Sequence, residues 1–166
     1  MLKPVFPLLF FLIASAAPAS PVETAMKDPQ VRGAATFRFL GLPIYEARLF
    51  TEAGKDLNPE APHALELTYR RPAAEARIVK ETLGQLRRLG FPTPDPLRKA
   101  LDDCFADAGN GDRFLAIPRG PDRIDFWFNE RPTCTLQHPG IRKGFMGIFL
   151  GDNSQSASFT RALKGS

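Results

Sequence analysis

The sequence GAATFRFLGLPIYEARLF, which spans residues 33–50, predicts two β-strands joined at Gly41-Leu42-Pro43. On each side of this joint, over residues 35–40 and 45–50, successive side chains belong to opposite faces with a period of two. This spacing is typical of a half-buried strand. Pro43 has no backbone N–H to give to a neighbouring strand, so it marks a turn, a bulge or a sheet edge. The stretch therefore predicts one ribbon of antiparallel strands.

Arg38 and Tyr45 are the polar side chains of this stretch that we expect to face a ligand. An arginine beside an apolar pocket can hold a carboxylate through two parallel hydrogen bonds. A phenol nearby adds one more donor for the same oxygen atoms. The alternative is a surface arginine with a tyrosine at the rim of the core, and the sequence leaves both interpretations open.

The rest of the chain alternates between groups of strands and pairs of helices. Residues 20–32 are polar and predict an extended lead-in, whereas period-two patterns predict further strands at 63–71, 112–117, 124–128 and 133–137. Apolar stripes at helical spacing predict helices near 79–89, 95–105, 141–151 and 159–163. Because strands follow strands, the order favours an α+β fold with a mostly antiparallel sheet and helices layered on one face.

The composition indicates one globular domain. The chain has 166 residues, of which 43% are hydrophobic and 24% charged, and fourteen Phe stand against one Trp and two Tyr. Its net charge of +4 comes from scattered side chains, without a basic run interleaved with aromatic residues. We therefore expect no nucleic-acid partner.

Residues 1–20 predict a cleaved secretory signal peptide, and 21–166 a single mature domain. Lys3 precedes an apolar segment at 5–13, and small residues follow at Ala14-Ser15-Ala16 and Ala17-Pro18-Ala19. The segment is too short for a stable membrane span. We expect an exported, periplasmic protein without a stable membrane anchor.

Cys104 and Cys134 are the only cysteines. In an oxidising compartment a bridge between them would close a loop of about 30 residues and stabilise the fold by roughly 3–4 kcal/mol. Buried free thiols are the alternative, and the sequence slightly favours them.

The sequence contains no complete catalytic set, and we expect no metal or cofactor. There is no G-x-S-x-G motif, and His63 and His138 have no evident nucleophile beside them. Cys134 and His138 form the only close pair of metal-ligand types. His138 precedes Pro139, which favours a turn at the start of a helix.

Several motifs together resemble the exported bacterial chalcone isomerase-like proteins. They are GAATFRFLGLPIYEARLF, Gly111-Asp112, IDFWFNERP at 124–132 and GIFLGD at 147–152, in an order that covers residues 31–165. The resemblance implies an open-faced β-sandwich, in which helices cover one face of a large antiparallel sheet and a ligand cleft lies between them. Members of the superfamily close chalcones to flavanones, bind fatty acids, or have no settled role.

The resemblance also implies roles for individual positions. Arg38 matches the arginine of the first strand that holds the substrate's phenolate, with Arg32 as a rival. Tyr45 falls near a catalytic threonine, and Ile148 takes the place of a hydroxyl residue on the late helix. These departures favour a non-catalytic binding protein that takes an amphipathic or carboxylate ligand such as a fatty acid.

Two alternative functions remain. If the protein is an enzyme, we expect a chalcone isomerase-type intramolecular lyase that acts on a small phenolic compound. The other alternative is a structural or partner-binding envelope protein whose cleft is filled by its own side chains. The sequence does not fix the oligomeric state.

Overall fold

Six antiparallel strands form one sheet in the computed structural model, which describes residues 19–166. The predicted signal peptide therefore lies outside the described residues, except for its last two positions. The sheet order follows the chain, β1-β2-β3-β4-β5-β6. The strands are β1 (Pro29–Phe39), β2 (Leu42–Glu52), β3 (His63–Tyr69), β4 (Arg113–Pro118), β5 (Arg123–Phe128) and β6 (Arg131–Gln137).

Four helices cover one face of the sheet, which confirms the predicted α+β architecture. They are α2 (Glu75–Arg88), α3 (Asp95–Cys104), α4 (Ile141–Leu150) and α5 (Ala157–Lys164). Their apolar stripes meet alternate strand residues in a single core; Leu83 of α2, Ala47 of β2 and Phe126 of β5 are among its members. No helix within residues 19–166 has the length and apolar character that a membrane crossing requires.

The predicted extended lead-in is wrong in part, because it contains a short helix, α1 (Pro21–Ala25), and the start of β1. The Ser20 side chain accepts a hydrogen bond from the Glu23 N–H, while the Glu23 carboxylate accepts one from the Ser20 N–H. This capping box satisfies two N–H groups that a helix start otherwise leaves unpaired. Val22 and Met26 then pack with Leu115 and other residues on the sheet face opposite the four main helices.

The β1–β2 ribbon forms as predicted, but its turn is Leu40-Gly41 and not the predicted Gly41-Leu42-Pro43, because Leu42 and Pro43 already belong to β2. Phe39 pairs with Leu42, and both turn residues have positive φ, 49° for Leu40 and 80° for Gly41. Pro43 lies inside β2 next to an irregularity of register that follows Phe37. The ribbon therefore bends close to its tip.

The base of the same ribbon is held by the end of α5. A Cβ on Gly33 would lie 2.4 Å from the Leu163 carbonyl oxygen, so only glycine permits this approach of strand and helix. Arg32 donates from Nε to the Lys164 carbonyl at 3.0 Å, and its Nη2 lies 2.6 Å from Oδ1 of Asp56. A guanidinium at the C-terminus of a helix meets carbonyl groups that have no partner within the helix.

Cys104 and Cys134 form a disulfide, so the slight preference for free thiols was wrong. The bridge joins the last residue of α3 to β6, with the two Cα atoms 5.0 Å apart. Spacing along the chain could not show that these two elements lie side by side.

Helix and turn boundaries follow the sequence closely. Asp95 is the first residue of α3 and Pro94 precedes it as the N-cap, without a capping side chain. Asn129 and Glu130 form a tight turn between β5 and β6, with φ of 47° and 68°. Asp112 of the Gly-Asp motif accepts a hydrogen bond from the Gly109 N–H at 2.6 Å, which lowers the pKa of its carboxyl.

Candidate functional site: an apolar cavity with an arginine rim

A cavity of about 830 Å³ lies between the sheet and the helices α2 and α4. This volume falls within the range of roughly 300–1,000 Å³ that is typical of small-molecule sites. Most of its wall is apolar and comes from strands and helices alike: Phe37, Ile44, Leu65, Leu67, Ile78, Phe105, Phe114, Phe126, Phe145, Ile148 and Phe149. The wall therefore suits an apolar chain or ring system.

Two phenols, Tyr45 and Tyr69, are among the polar groups that line the cavity. Tyr45 pairs with Tyr69 across β2 and β3, and their ring centroids are 6.2 Å apart. Burial raises the pKa of Tyr69 to about 12 and, together with the nearby Tyr69, raises the pKa of Tyr45 as well. Both side chains are therefore neutral at physiological pH and keep their O–H groups as donors.

A chain of side-chain hydrogen bonds closes the cavity beside Tyr45. The Gln155 amide donates to the Tyr45 hydroxyl at 3.3 Å, and the Gln85 amide donates to the Gln155 side-chain oxygen at 3.1 Å. Gln85 lies on α2, whereas Gln155 lies in the segment between α4 and α5. The chain thus joins helix, loop and sheet across one side of the cavity.

Three arginines, Arg70, Arg71 and Arg77, border the cavity. Arg70 and Arg71 directly follow β3, and Arg77 lies in the first turns of α2. Arg70 donates to the Glu46 carboxylate at 2.5 Å, which lowers the pKa of Glu46. Within residues 19–166, neither Arg71 nor Arg77 forms an ion pair. Two guanidinium groups at the rim are therefore free to meet an anion.

The structure does not bring Arg38 and Tyr45 together in one site. Tyr45 stacks on Phe37, with a centroid distance of 5.2 Å, and lines the cavity. Arg38 follows Phe37 and lies on the opposite face of β1, where its Nη1 donates to the Gly41 carbonyl at 3.2 Å. It borders a separate shallow groove with Ser156 of the α5 cap. Arg38 and Tyr45 therefore do not face the same ligand group in this structure. A ligand-binding role for either residue alone stays a prediction.

The other positions singled out from the sequence have identifiable places. Arg32, the alternative to Arg38, donates hydrogen bonds to carbonyl groups at the end of α5. Ile148 lines the cavity from α4, so an apolar side chain occupies the position where the resemblance implies a hydroxyl. The groups that the sequence did not single out are Tyr69, Arg71 and Arg77, because their convergence depends on the pairing of β2 with β3 and on the placement of α2.

The two histidines have local structural contacts. His63 is buried with its Nδ1 2.8 Å from the Ala61 carbonyl, and burial lowers its pKa. His138 packs against Phe91, with ring centroids 5.5 Å apart. Because Cys134 is bridged, it does not form a metal pair with His138. Within residues 19–166 there is no group of three His, Cys, Asp or Glu side chains placed to hold a metal ion.

Comparison with solved structures identifies the architecture. A fatty-acid binding protein of Arabidopsis thaliana superposes with a TM-score of 0.65 over 90% of this chain and 91% of its own, at 7% sequence identity. The chain has a chalcone isomerase-like fold. At this identity the likeness concerns the fold alone. No protein-family model matches the sequence, and no curated protein does either.

Proposed function

We propose that this protein is a non-catalytic binding protein for an amphipathic carboxylate such as a fatty acid. The observation that carries the proposal is an apolar cavity of about 830 Å³ bordered by two arginines without an ion pair among the described residues. The similarity of fold to a plant fatty-acid binding protein supports it. Ile148 supports binding over catalysis, because it has no hydroxyl to take part in a proton transfer.

In this proposal the apolar tail fills the cavity and the carboxylate meets Arg71 and Arg77 at the rim. Placing the carboxylate at the phenols instead would bury an anion beside neutral donors only, which is costly in an apolar interior. At the rim it stays partly hydrated and gains charge-assisted hydrogen bonds. Tyr45 and Tyr69 are neutral donors that suit a weaker polar group along the ligand.

The proposed setting is the periplasm of a bacterium. The predicted signal peptide supports export, and the disulfide is the type of bond that persists in an oxidising compartment. Cleavage at the predicted boundary, after Ser20, would leave Pro21, the first residue of α1, at the start of the mature chain. N-terminal sequencing of the exported protein tests this boundary.

The test of function is calorimetric titration with palmitate and, separately, with hexadecanol, which has the same tail and no carboxylate. We expect the acid to bind more tightly than the alcohol. The double variant Arg71→Gln, Arg77→Gln should weaken acid binding about 10- to 100-fold, as expected for the loss of hydrogen bonds to a charged group. Alcohol binding should change much less.

Arg38→Gln is the matched control, because it also removes a surface guanidinium but lies outside the cavity wall. Equal binding of acid and alcohol to the wild type would contradict the rim site. So would a loss in Arg38→Gln as large as that in the double variant. Absence of binding for both ligands would contradict the proposed function itself.

A further inference from the structure

The tip of the β1–β2 ribbon exposes a group of large apolar side chains. Phe39 is 57% exposed, Leu40 86% and Leu42 47%. Together with Gly41 these residues form the hairpin tip. Phe39 and Leu42 also line the cavity, so the hairpin tip lies at its mouth. An exposed apolar group of this kind, bordered by polar residues, is typical of an interaction site.

Folding alone gives no reason for leucine at position 40. A two-residue hairpin turn with both residues at positive φ favours Asn-Gly, whereas this turn is Leu40-Gly41. A bulky residue at φ 49° is strained, and the side chain gains little packing in return because most of it is exposed. Leu40, at the most exposed point of the turn, is thus unfavourable for the backbone conformation and is also apolar.

The surroundings of the hairpin tip are basic. Arg38 lies directly before it and is bonded to its Gly41 carbonyl, while Arg71 and Arg77 share the cavity mouth with Phe39. Among the residues that line the cavity, Glu81 on α2 is the acidic one, against Arg70, Arg71 and Arg77. Positive charge therefore exceeds negative charge in the cavity lining beside the exposed apolar tip.

We propose that the hairpin tip docks onto the surface of an anionic phospholipid bilayer and places the cavity mouth against the membrane. The apolar side chains enter the interface between headgroups and acyl chains, and the arginines meet the lipid phosphates. A second copy of the chain fits less well, because a two-fold contact through this tip would bring the same arginines face to face. The docking surface and the ligand site share Phe39, Leu42, Arg71 and Arg77, whereas Leu40 belongs to the hairpin tip and not to the cavity wall.

The experiment is co-sedimentation of ligand-free protein with vesicles of phosphatidylglycerol or of phosphatidylcholine, both without free fatty acid. We expect binding to phosphatidylglycerol that weakens as salt rises, and much weaker binding to phosphatidylcholine. Leu40→Asn removes the apolar side chain and supplies the residue that this turn favours, so the fold is preserved. It should lower binding to phosphatidylglycerol vesicles about tenfold.

Val31→Thr is the matched control, since Val31 is a similarly exposed apolar residue of β1 away from the hairpin tip. Full vesicle binding by this variant is expected. The proposal is overturned if the wild-type protein binds neither kind of vesicle. It is also overturned if Leu40→Asn and Val31→Thr lose the same amount of vesicle binding. A concentration-dependent dimer abolished by Leu40→Asn would overturn it in favour of a second copy.

The same variant separates this proposal from the proposed function. Palmitate titration of Leu40→Asn in vesicle-free buffer should match the wild type. A protein that binds palmitate but no vesicles refutes the docking surface alone. A protein that binds vesicles but no palmitate refutes the ligand site alone.

Discussion

The two ends of the cavity differ in how firmly their side chains are held. At the closed end Phe126 meets Phe105 and Phe145 edge to face, with ring centroids 5.5 Å and 5.2 Å apart, and the Cys104–Cys134 bridge ties α3 to β6 beside them. At the open end Phe39 is largely exposed. One cavity thus combines a densely packed floor with a mouth whose side chains have few contacts.

This difference means that one end of the cavity determines the shape of the ligand site, and the other end determines access to it. The closed end sets the length and width available to a ligand, because aromatic rings that are packed in a core move very little. A ligand then enters and leaves through the open end, where side chains can change rotamer without disturbing the core. The following predictions test this division between the two ends.

Truncation of a ring should have very different costs at the two ends. Phe126→Ala removes a ring that is 1% exposed, and we expect the free energy of unfolding to fall by about 3–5 kcal/mol. Phe39→Ala should change it by no more than about 0.5 kcal/mol. Urea denaturation of both variants gives the comparison. Similar costs at the two positions would mean that the ends do not differ in packing.

Loss of the disulfide should weaken the closed end. The double variant Cys104→Ala, Cys134→Ala should lower the free energy of unfolding by roughly 3–4 kcal/mol, because the unfolded chain gains the freedom of a loop of about 30 residues. Equilibrium denaturation of the oxidised and the reduced wild type provides a second measurement without mutation. A midpoint that is the same in both redox states would show that the bridge does not hold this end.

The base of the β1–β2 ribbon should tolerate no side chain at Gly33. Gly33→Ala forces β1 away from the backbone of α5, and we expect a loss of about 1–3 kcal/mol in the free energy of unfolding. Gly84→Ala is the matched control; it lies in α2 with open space around the added methyl and should stabilise by about 0.5–1 kcal/mol. Thermal melts of both variants decide whether the ribbon is anchored at its base.

High pH should destabilise the protein through the buried phenols. The pKa of Tyr69 is about 12 in the folded protein and near 10 in the unfolded chain, so only the unfolded state loses this proton as pH rises above about 10. Below that pH the contribution is fully present. Between pH 10 and 11 the wild type should lose about 1 kcal/mol more than Tyr69→Phe. Denaturation curves of both proteins at about pH 8, 10 and 11 make the comparison. Parallel losses in both proteins would place this phenol in contact with solvent.

Much of the fold follows from local patterns, and the site mostly does not. The alternation over residues 45–50 correctly predicted the half-buried strand β2, and the apolar stripe near 79–89 correctly predicted the helix α2. Such patterns depend on neighbours in sequence, so they can be interpreted without knowledge of the tertiary structure.

The missed features depend on register and on distant pairing. Phe37 pairs with Tyr45, which leaves Arg38 on the opposite face of β1 from Tyr45, and this register between the two strands is not visible in a period-two pattern. The Cys104–Cys134 bridge needed the contact of α3 with β6. Only α1 had a local signature that could have revealed it, the Ser20-x-x-Glu23 capping box.

The order of the strands in the sheet has a consequence for how the chain folds. Every strand pairs with its neighbour in sequence, and only β3 and β4 are separated by helices. Pairing within residues 29–69 and within 113–137 therefore closes short loops, whereas β3–β4 pairing must wait for a long one. Because the cavity wall draws on both groups of strands, we expect the ligand site to form only when the two halves of the sheet join.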